Sequence, residues 1–272
     1  MNPHTPGPNT TRWTRLGLVL GGLSALVVCA PAQWLASAVS AASGEHVQLR
    51  AAQGTVWQGS AQWVLTSGPG GQDAQALPQR VQWQLRPQWD AGLKLSLHMP
   101  CCTPQALSLQ LKPIWAGVQI SLHSPHSQWP AQWLSGLGAP WNTMALQGQL
   151  VLRSEALVWR STKVASTSAK TPVESGFPEG MAELTLENMS SGLSTLKPLG
   201  SYQLNWQGGE SPRLRLQTSQ GQLLLQGAGA WRERGFVFEG EASAKPGHEA
   251  ALSNLLGVLG QRLGNRTVLR WG

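Results

Sequence analysis

Beyond residue 45 the chain alternates apolar and polar residues one for one in segment after segment, and this period of two restricts it to half-buried β-strands. Val81-Gln-Trp83-Gln-Leu85 shows the pattern, as do Leu93-Lys-Leu95-Ser-Leu97-His-Met99, Leu107-Ser-Leu109-Gln-Leu111 and Val118-Gln-Ile120-Ser-Leu122. It returns in Tyr202-Gln-Leu204-Asn-Trp206, Leu214-Arg-Leu216 and Phe236-Val-Phe238. Successive side chains of a strand point to opposite faces, so each segment presents one apolar and one polar face. The separations are short and carry Gly or Pro, as at Lys112-Pro113 and Gln220-Gly221, which predicts antiparallel meanders. With 272 residues the chain has room for one large domain or two modest ones. Charged residues make up 12% of it, against roughly 25% in an average domain, so the polar face is built mainly of Gln, Ser and Thr.

Two stretches break the alternation with helical spacing. Pro130 to Leu137 opens on a proline, whose missing N–H costs nothing in a first turn, and meets Gly136 and Gly138 at its end. From Glu249 to Leu263, Leu252, Leu255, Leu256, Leu259 and Leu263 fall on one face, with Gly264 as the expected C-cap; this stripe is expected to pack on the sheet. Ser161 to Gly180 has no periodicity and is rich in Ser, Thr, Lys and Pro, so it reads as a flexible linker between two β-rich halves. A shorter polar loop runs from Ser67 to Gln79.

The N-terminal segment sets the compartment. Leu16 to Ala42 carries no charge, and a helix from Leu16 to Ala38 would be about 34 Å long, enough for a hydrocarbon core of about 30 Å. Arg12 and Arg15 precede it and the first charge after it is Glu45, so the positive-inside rule leaves residues 1–15 in the cytoplasm and exports the rest. A cleaved signal peptide ending near Ala30 or Ala32 is the competing reading, but the uncharged stretch continues past those alanines to Trp34, placed as an interfacial aromatic. A lipoprotein site at Cys29 is disfavoured by the bulk of Val28. The expected organisation is therefore a cytoplasmic segment 1–15, a transmembrane anchor 16–38, a periplasmic half 44–160, a linker 161–180 and a second periplasmic half 181–272.

Net charge +7 raises the question of nucleic acid, but the basic residues are scattered, with Arg232 and Arg234 the nearest thing to a cluster, so a solvated basic surface is the reading taken. Three cysteines make no disulfide framework. Cys29 lies in the apolar segment; the adjacent Cys101 and Cys102 leave a vicinal disulfide, two thiols or a pairing between chains open. The chain has no P-loop, no H-E-x-x-H, no G-x-S-x-G and no G-x-G-x-x-G followed by a helix. His98, His123 and His126 are the one grouping resembling metal ligands, and with Pro125 between the last two they read as turn histidines. Glu239 and Glu241 share one face of a strand as surface carboxylates would. Of fourteen tryptophans, eight fall between Trp57 and Trp141; most read as core, with Trp129, Trp133 and Trp141 as the candidate carbohydrate contact. Neither a catalytic centre nor a cofactor is expected.

Several elements, in order, resemble the protein N family of the bacterial type II (general) secretion pathway. They are Ala30-Pro-Ala-Gln-Trp-Leu35; Ala52-Gln-Gly54-Thr-Val-Trp57-Gln-Gly59, which looks like that family's G-x-[V/I]-W-x-G element; Val81-Gln-Trp83-Gln-Leu85-Arg-Pro87; and Pro130-Ala-Gln-Trp-Leu134. Pro198-Leu-Gly-Ser-Tyr202, Gly221-Gln-Leu-Leu-Leu-Gln-Gly227 and Leu252-Ser-Asn-Leu-Leu-Gly-Val-Leu-Gly-Gln-Arg262 complete the set, so nearly the whole chain is covered. The resemblance implies a non-enzymatic, single-pass inner-membrane protein whose periplasmic domain serves the export machine. Implied partners are the other inner-membrane subunits, above all the C component, and through it the outer-membrane secretin. It also implies kinship with AsmA-like envelope proteins, in which curved antiparallel sheets form an apolar groove. The alternation is therefore compatible either with a filled core or with a lipid-binding channel.

Overall fold

A computed structural model describes residues 10–89, 92–115, 117–123, 126–162, 178–232 and 235–272. The alternating segments are antiparallel strands, as their period requires, and they form two sheets. The first half of the chain supplies β1 (Val47–Gly54), β2 (Gln58–Thr66), β3 (Ala74–Ala76), β4 (Val81–Gln88), β5 (Gly92–His98), β6 (Leu107–Ile114) and β7 (Gly117–His123). Next come β8 (His126–Pro130), β9 (Gln147–Ser154), β10 (Ala156–Thr162), β11 (Met181–Ser190), β12 (Gly200–Gln207) and β13 (Arg213–Gly221). The last strands are β14 (Leu223–Arg232), β15 (Gly235–Ala244), β16 (Gln261–Leu263) and β17 (Arg266–Trp271). The first sheet runs β1-β2-β4-β5-β6-β7-β10 with β3 on β2, and the second runs β16-β17-β15-β14-β13-β12-β11-β9-β8.

One antiparallel pair of chain segments belongs to both sheets. β7 pairs with β10 from Gly117↔Thr162 to His123↔Ala156, and β8 pairs with β9 from His126↔Arg153 onward. β9 and β10 are thus one length of chain that changes sheet at Glu155. A bridge between Val158 and Glu179 carries the ladder from β10 toward β11. The two β-rich halves expected from sequence, 44–160 and 181–272, do not coincide with the two sheets: β8 and β9 of the first half lie in the second sheet, where β9 pairs with β11. Of the expected linker, Ser161 and Thr162 end β10 and Glu179 makes that bridge, while 163–177 lie outside the described residues.

Helices close the two ends. α4 (Glu249–Leu259) lies over β15 and β17 with Leu252, Leu255 and Leu256 buried, and Glu249 in its first turn accepts from the Gly247 N–H, where a negative charge suits the helix dipole. The expected continuation to Leu263 does not occur. The helix ends before Gly260, and 261–263 pair with β17 as β16, so Leu263 is 60% exposed and Gly264, at φ +62°, turns a hairpin instead of capping a helix. Cross-strand pairing satisfies the backbone of this stretch without a further helical turn. The Pro130 stretch is a 3-10 helix, Ala131–Leu137, and the polar loop 67–79 holds the short strand β3. A short α3 (Trp141–Met144) follows.

The helix expected over 16–38 is interrupted. α1 (Thr10–Val28) and α2 (Ala32–Ala42) are separated by Cys29-Ala30-Pro31, because proline lacks the N–H and clashes with the preceding turn. α2 lies over β1, and its Ala32 is buried in the first-sheet core with Ala61, Leu77, Val81, Trp83 and Met99. Among the described residues no helix is long and apolar enough to cross a membrane. Cys101 and Cys102 form the vicinal disulfide in the connection between β5 and β6, with Cys102 buried in that same core.

The second-sheet core joins the α4 leucines to Leu150, Met189, Leu199, Tyr202, Leu223, Phe238 and Leu269. Deleting the buried side chain in Leu255→Ala is expected to cost about 2–5 kcal/mol in urea unfolding. Leu263→Ala, at the exposed end of the same sequence stripe, is expected to stay within about 0.5 kcal/mol of the parent; equal losses would restore the longer helix.

Candidate functional site

The G-x-[V/I]-W-x-G-like segment makes the hairpin tip between β1 and β2. Gly54 takes φ +90°, and Gly59 lets an indole lie against the backbone: a Cβ there would sit 2.5 Å from the Gln53 carbonyl oxygen and 2.5 Å from the Trp83 ring. Trp83 is buried and its Nε1 donates to the Thr55 and Val56 carbonyls at 3.2 and 3.1 Å. Trp57 Nε1 donates to the Val27 carbonyl at 2.8 Å, and the Val56 N–H donates to Ala30 at the same distance. The tip is therefore the joint between the sheet and the last turn of α1. Along α1 itself Leu18, Val19, Leu20, Leu23, Leu26, Val27 and Val28 are each more than half exposed. From Leu18 to Val28 the helix therefore exposes apolar side chains that the described sheet body does not bury.

Past this joint the apolar face of the first sheet extends beyond the strands on which the described helices pack. Cross-strand pairing aligns Leu85, Leu95, Leu109, Leu122 and Leu157 in one row, and Pro87, Leu93, Leu111, Ile120 and Trp159 in the next. The described helices lie over β1–β3, β9 and β15–β17. Leu97 and Leu107, a row nearer the core, still pack into it, whereas Leu109, Leu111, Ile120, Leu122 and Leu157 belong to neither buried cluster. Trp159 is 42% exposed. Of the two rows, Leu95 still packs on that core, and the others continue as a partly buried to exposed apolar strip toward the end of the sheet.

The opposite face of the second sheet is polar. The register places Arg153, Glu183, Asn205, Arg215, Ala228 and Glu239 side by side, and together with Arg213 and Arg232 they line a groove of about 970 Å³. Glu239 and Glu241 sit on this face, 3.6 Å from Arg270 and 3.5 Å from Arg266, as exposed ion pairs of small energetic weight. Arg234 lies outside the described residues.

The other residues singled out from sequence are dispersed. His98 ends β5, His123 ends β7 and His126 begins β8 in the other sheet; among the described residues no group of three or more His, Cys, Asp or Glu side chains converges. Trp129 and Trp133 stack at 5.0 Å with Trp63 edge-on to both, and they pack against the first-sheet core, while Trp141 packs with the second. Tyr202, buried under α4, has its phenol pushed well up from the ordinary value by desolvation, and its hydroxyl has no hydrogen-bond partner among the described residues. The uncovered rows escaped sequence reasoning because an alternating strand reads the same whether its apolar face is packed or bare.

The described fold is thus an antiparallel β-sheet body carrying an apolar helix at one end. The chain matches the model of the type II secretion system protein N family over residues 45–270, and it belongs to that family. No curated protein and no solved structure matches it.

The tip geometry gives a contrast in stability. Gly59→Ala must push its methyl into a carbonyl and an indole and is expected to lose about 1–3 kcal/mol in urea unfolding. Gly257→Ala, on the open side of α4 where an added Cβ meets nothing within 4 Å, is expected to be neutral or to gain up to about 1 kcal/mol.

Proposed function

We propose that this member of the protein N family is a non-enzymatic subunit of the type II export machine, tethered to the inner membrane by its N-terminal helix and acting as a scaffold in the periplasm. The observation that carries the reading is the family match across the whole sheet body, joined at Trp57 to an apolar helix that the body leaves uncovered. Arg12 and Arg15 ahead of that helix support a cytoplasmic start, residues 1–15, with the membrane segment beginning at Leu16. The periplasmic body then comprises residues 44–160 and 181–272, connected through 161–180. Tethering raises the local concentration of the body at the membrane, so modest interfaces suffice to assemble it with other inner-membrane subunits. The C component is the proposed neighbour, and the secretin is reached through it. The β1 and β16 edges are available for strand addition by a partner.

A second reading is favoured by the uncovered rows Leu85 to Leu157 and Leu93 to Trp159. A sheet face of this kind takes an acyl chain without paying to expose it to water, which is the lipid-binding alternative. Native mass spectrometry of the full chain separates the two: discrete phospholipid adducts that disappear in Ile120→Glu support a lipid site.

Deleting the protein is expected to leave substrate enzymes folded but retained in the periplasm, and cross-linking in intact cells is expected to capture the C component. Normal secretion in the deletion strain, with no secretion subunit captured, would end the scaffold reading.

A further inference from the structure

Three hairpin tips lie at one end of the first sheet. β1, β4 and β6 run toward that end and β2, β5 and β7 run back from it, so residues 55–57, Trp89 and Trp115 sit at the three turns. The last two tips are close neighbours: a Cβ on Gly92 would sit 2.2 Å from the Leu111 carbonyl oxygen and 2.8 Å from the Pro113 ring. They also share a local sequence, Arg86-Pro87-Gln88-Trp89 followed by Asp-Ala-Gly and Lys112-Pro113-Ile114-Trp115 followed by Ala-Gly. Trp89 and Trp115 have relative exposures of 108% and 105%, so no described residue covers either indole. Burial is the usual fate of tryptophan, and two wholly bare rings on adjacent turns call for a partner outside the chain.

The same end is where α1 departs, through the Trp57 and Val56 hydrogen bonds to Val27 and Ala30. An indole has an apolar body and one N–H donor, the combination that suits the headgroup region of a bilayer. Cations flank the tips in sequence, Arg86 and Lys94 on either side of the second, which also carries Asp90, and Lys112 ahead of the third. Arg86 lies directly across from Lys94, a pairing of like charges that an anionic surface would relieve. Between Asp73 and Glu155 the sequence holds one acidic residue, Asp90, against Arg80, Arg86, Lys94, Lys112 and Arg153. Cations next to an anionic leaflet add attraction to the insertion of the rings.

From this placement we infer that Trp89 and Trp115 form a second membrane contact, seated in the interfacial zone of the anionic bilayer that holds α1. A helix alone leaves the body free to swivel; a helix and two aromatic tips fix its tilt. The tips also bring the open end of the Leu93, Leu111, Ile120 and Trp159 row down to the lipid, with Val118, 41% exposed, at its rim. The contact rests on the proposed tether through α1 but needs no secretion subunit, so it stands or falls separately from the scaffold role.

The test uses the full chain reconstituted in vesicles of phosphatidylethanolamine and phosphatidylglycerol, with W89F/W115F as the spectral reference. Both rings are fully exposed, so the phenylalanine pair keeps the fold, which an unchanged urea midpoint verifies. The emission of the two indoles, taken as parent minus reference, is expected to be blue-shifted. It is also expected to lose most of its intensity when the lipids carry bromine on the upper acyl carbons. Part of that quenching is expected to vanish in R86E/K94E/K112E. A difference emission that stays at the wavelength of water-exposed tryptophan and ignores bromine overturns the inference, and so does a chain that fails to float with the vesicles. A site for a protein partner at these tips gives the first of those two results.

Discussion

The structure depends on one antiparallel ladder that turns from the first sheet into the second. Where β7 and β8 face β10 and β9, the register runs from Gly117↔Thr162 through His123↔Ala156 to His126↔Arg153, and both sheets are built outward from it. Unpaired backbone groups are costly when buried, so a shared ladder is a firmer joint than side-chain packing between two separate domains. It also removes two interior sheet edges at the place where the halves meet. The family match across residues 45–270 spans both sheets, consistent with one body.

Burial along this continuous surface is uneven. Helix α4 fills the inner face at one end with leucines, and α2 with the 3-10 helix does so near β1–β3, assisted by the Trp63, Trp129 and Trp133 group. Between the first-sheet core and its hairpin tips no described helix remains to continue the cover. The apolar strip left there runs toward the same end of the sheet at which Trp57 and Val56 bond to the end of α1. Hydrophobic free energy scales with area removed from water, so apolar side chains left exposed contribute less to the fold than those under α2 and α4. The polar face of the second sheet carries guanidinium and carboxylate groups instead, including the exposed pairs Arg266–Glu241 and Arg270–Glu239, which salt screens.

Strand identity, antiparallel pairing and the leucine stripe of α4 were legible in the sequence because each is a periodicity, and a period of 2 or 3.6 fixes which residues share a face. The tip motif was legible as a pattern, though not as a joint, since the Trp57 bond to Val27 spans thirty residues. Leu263 was misplaced because its spacing fits a helix equally well, and only pairing with Arg266 across the hairpin makes it a strand residue. The single helix over 16–38 was likewise a reading of hydropathy, and Pro31 with the packing of Ala32 divides it. The choice among the states of Cys101 and Cys102 also required the fold, which holds the pair in one tight connection.

By itself the sequence determined that this chain is a β-protein with an apolar leading helix and without a recognisable catalytic motif, since alternation, hydropathy and residue inventory are local properties. Only the tertiary structure decided which apolar rows are covered, that the two halves share a ladder, and that two tryptophans stand bare beside the departing helix. Those facts depend on which distant segments pack together, and an alternating strand carries the same pattern under a helix as it does facing open solvent.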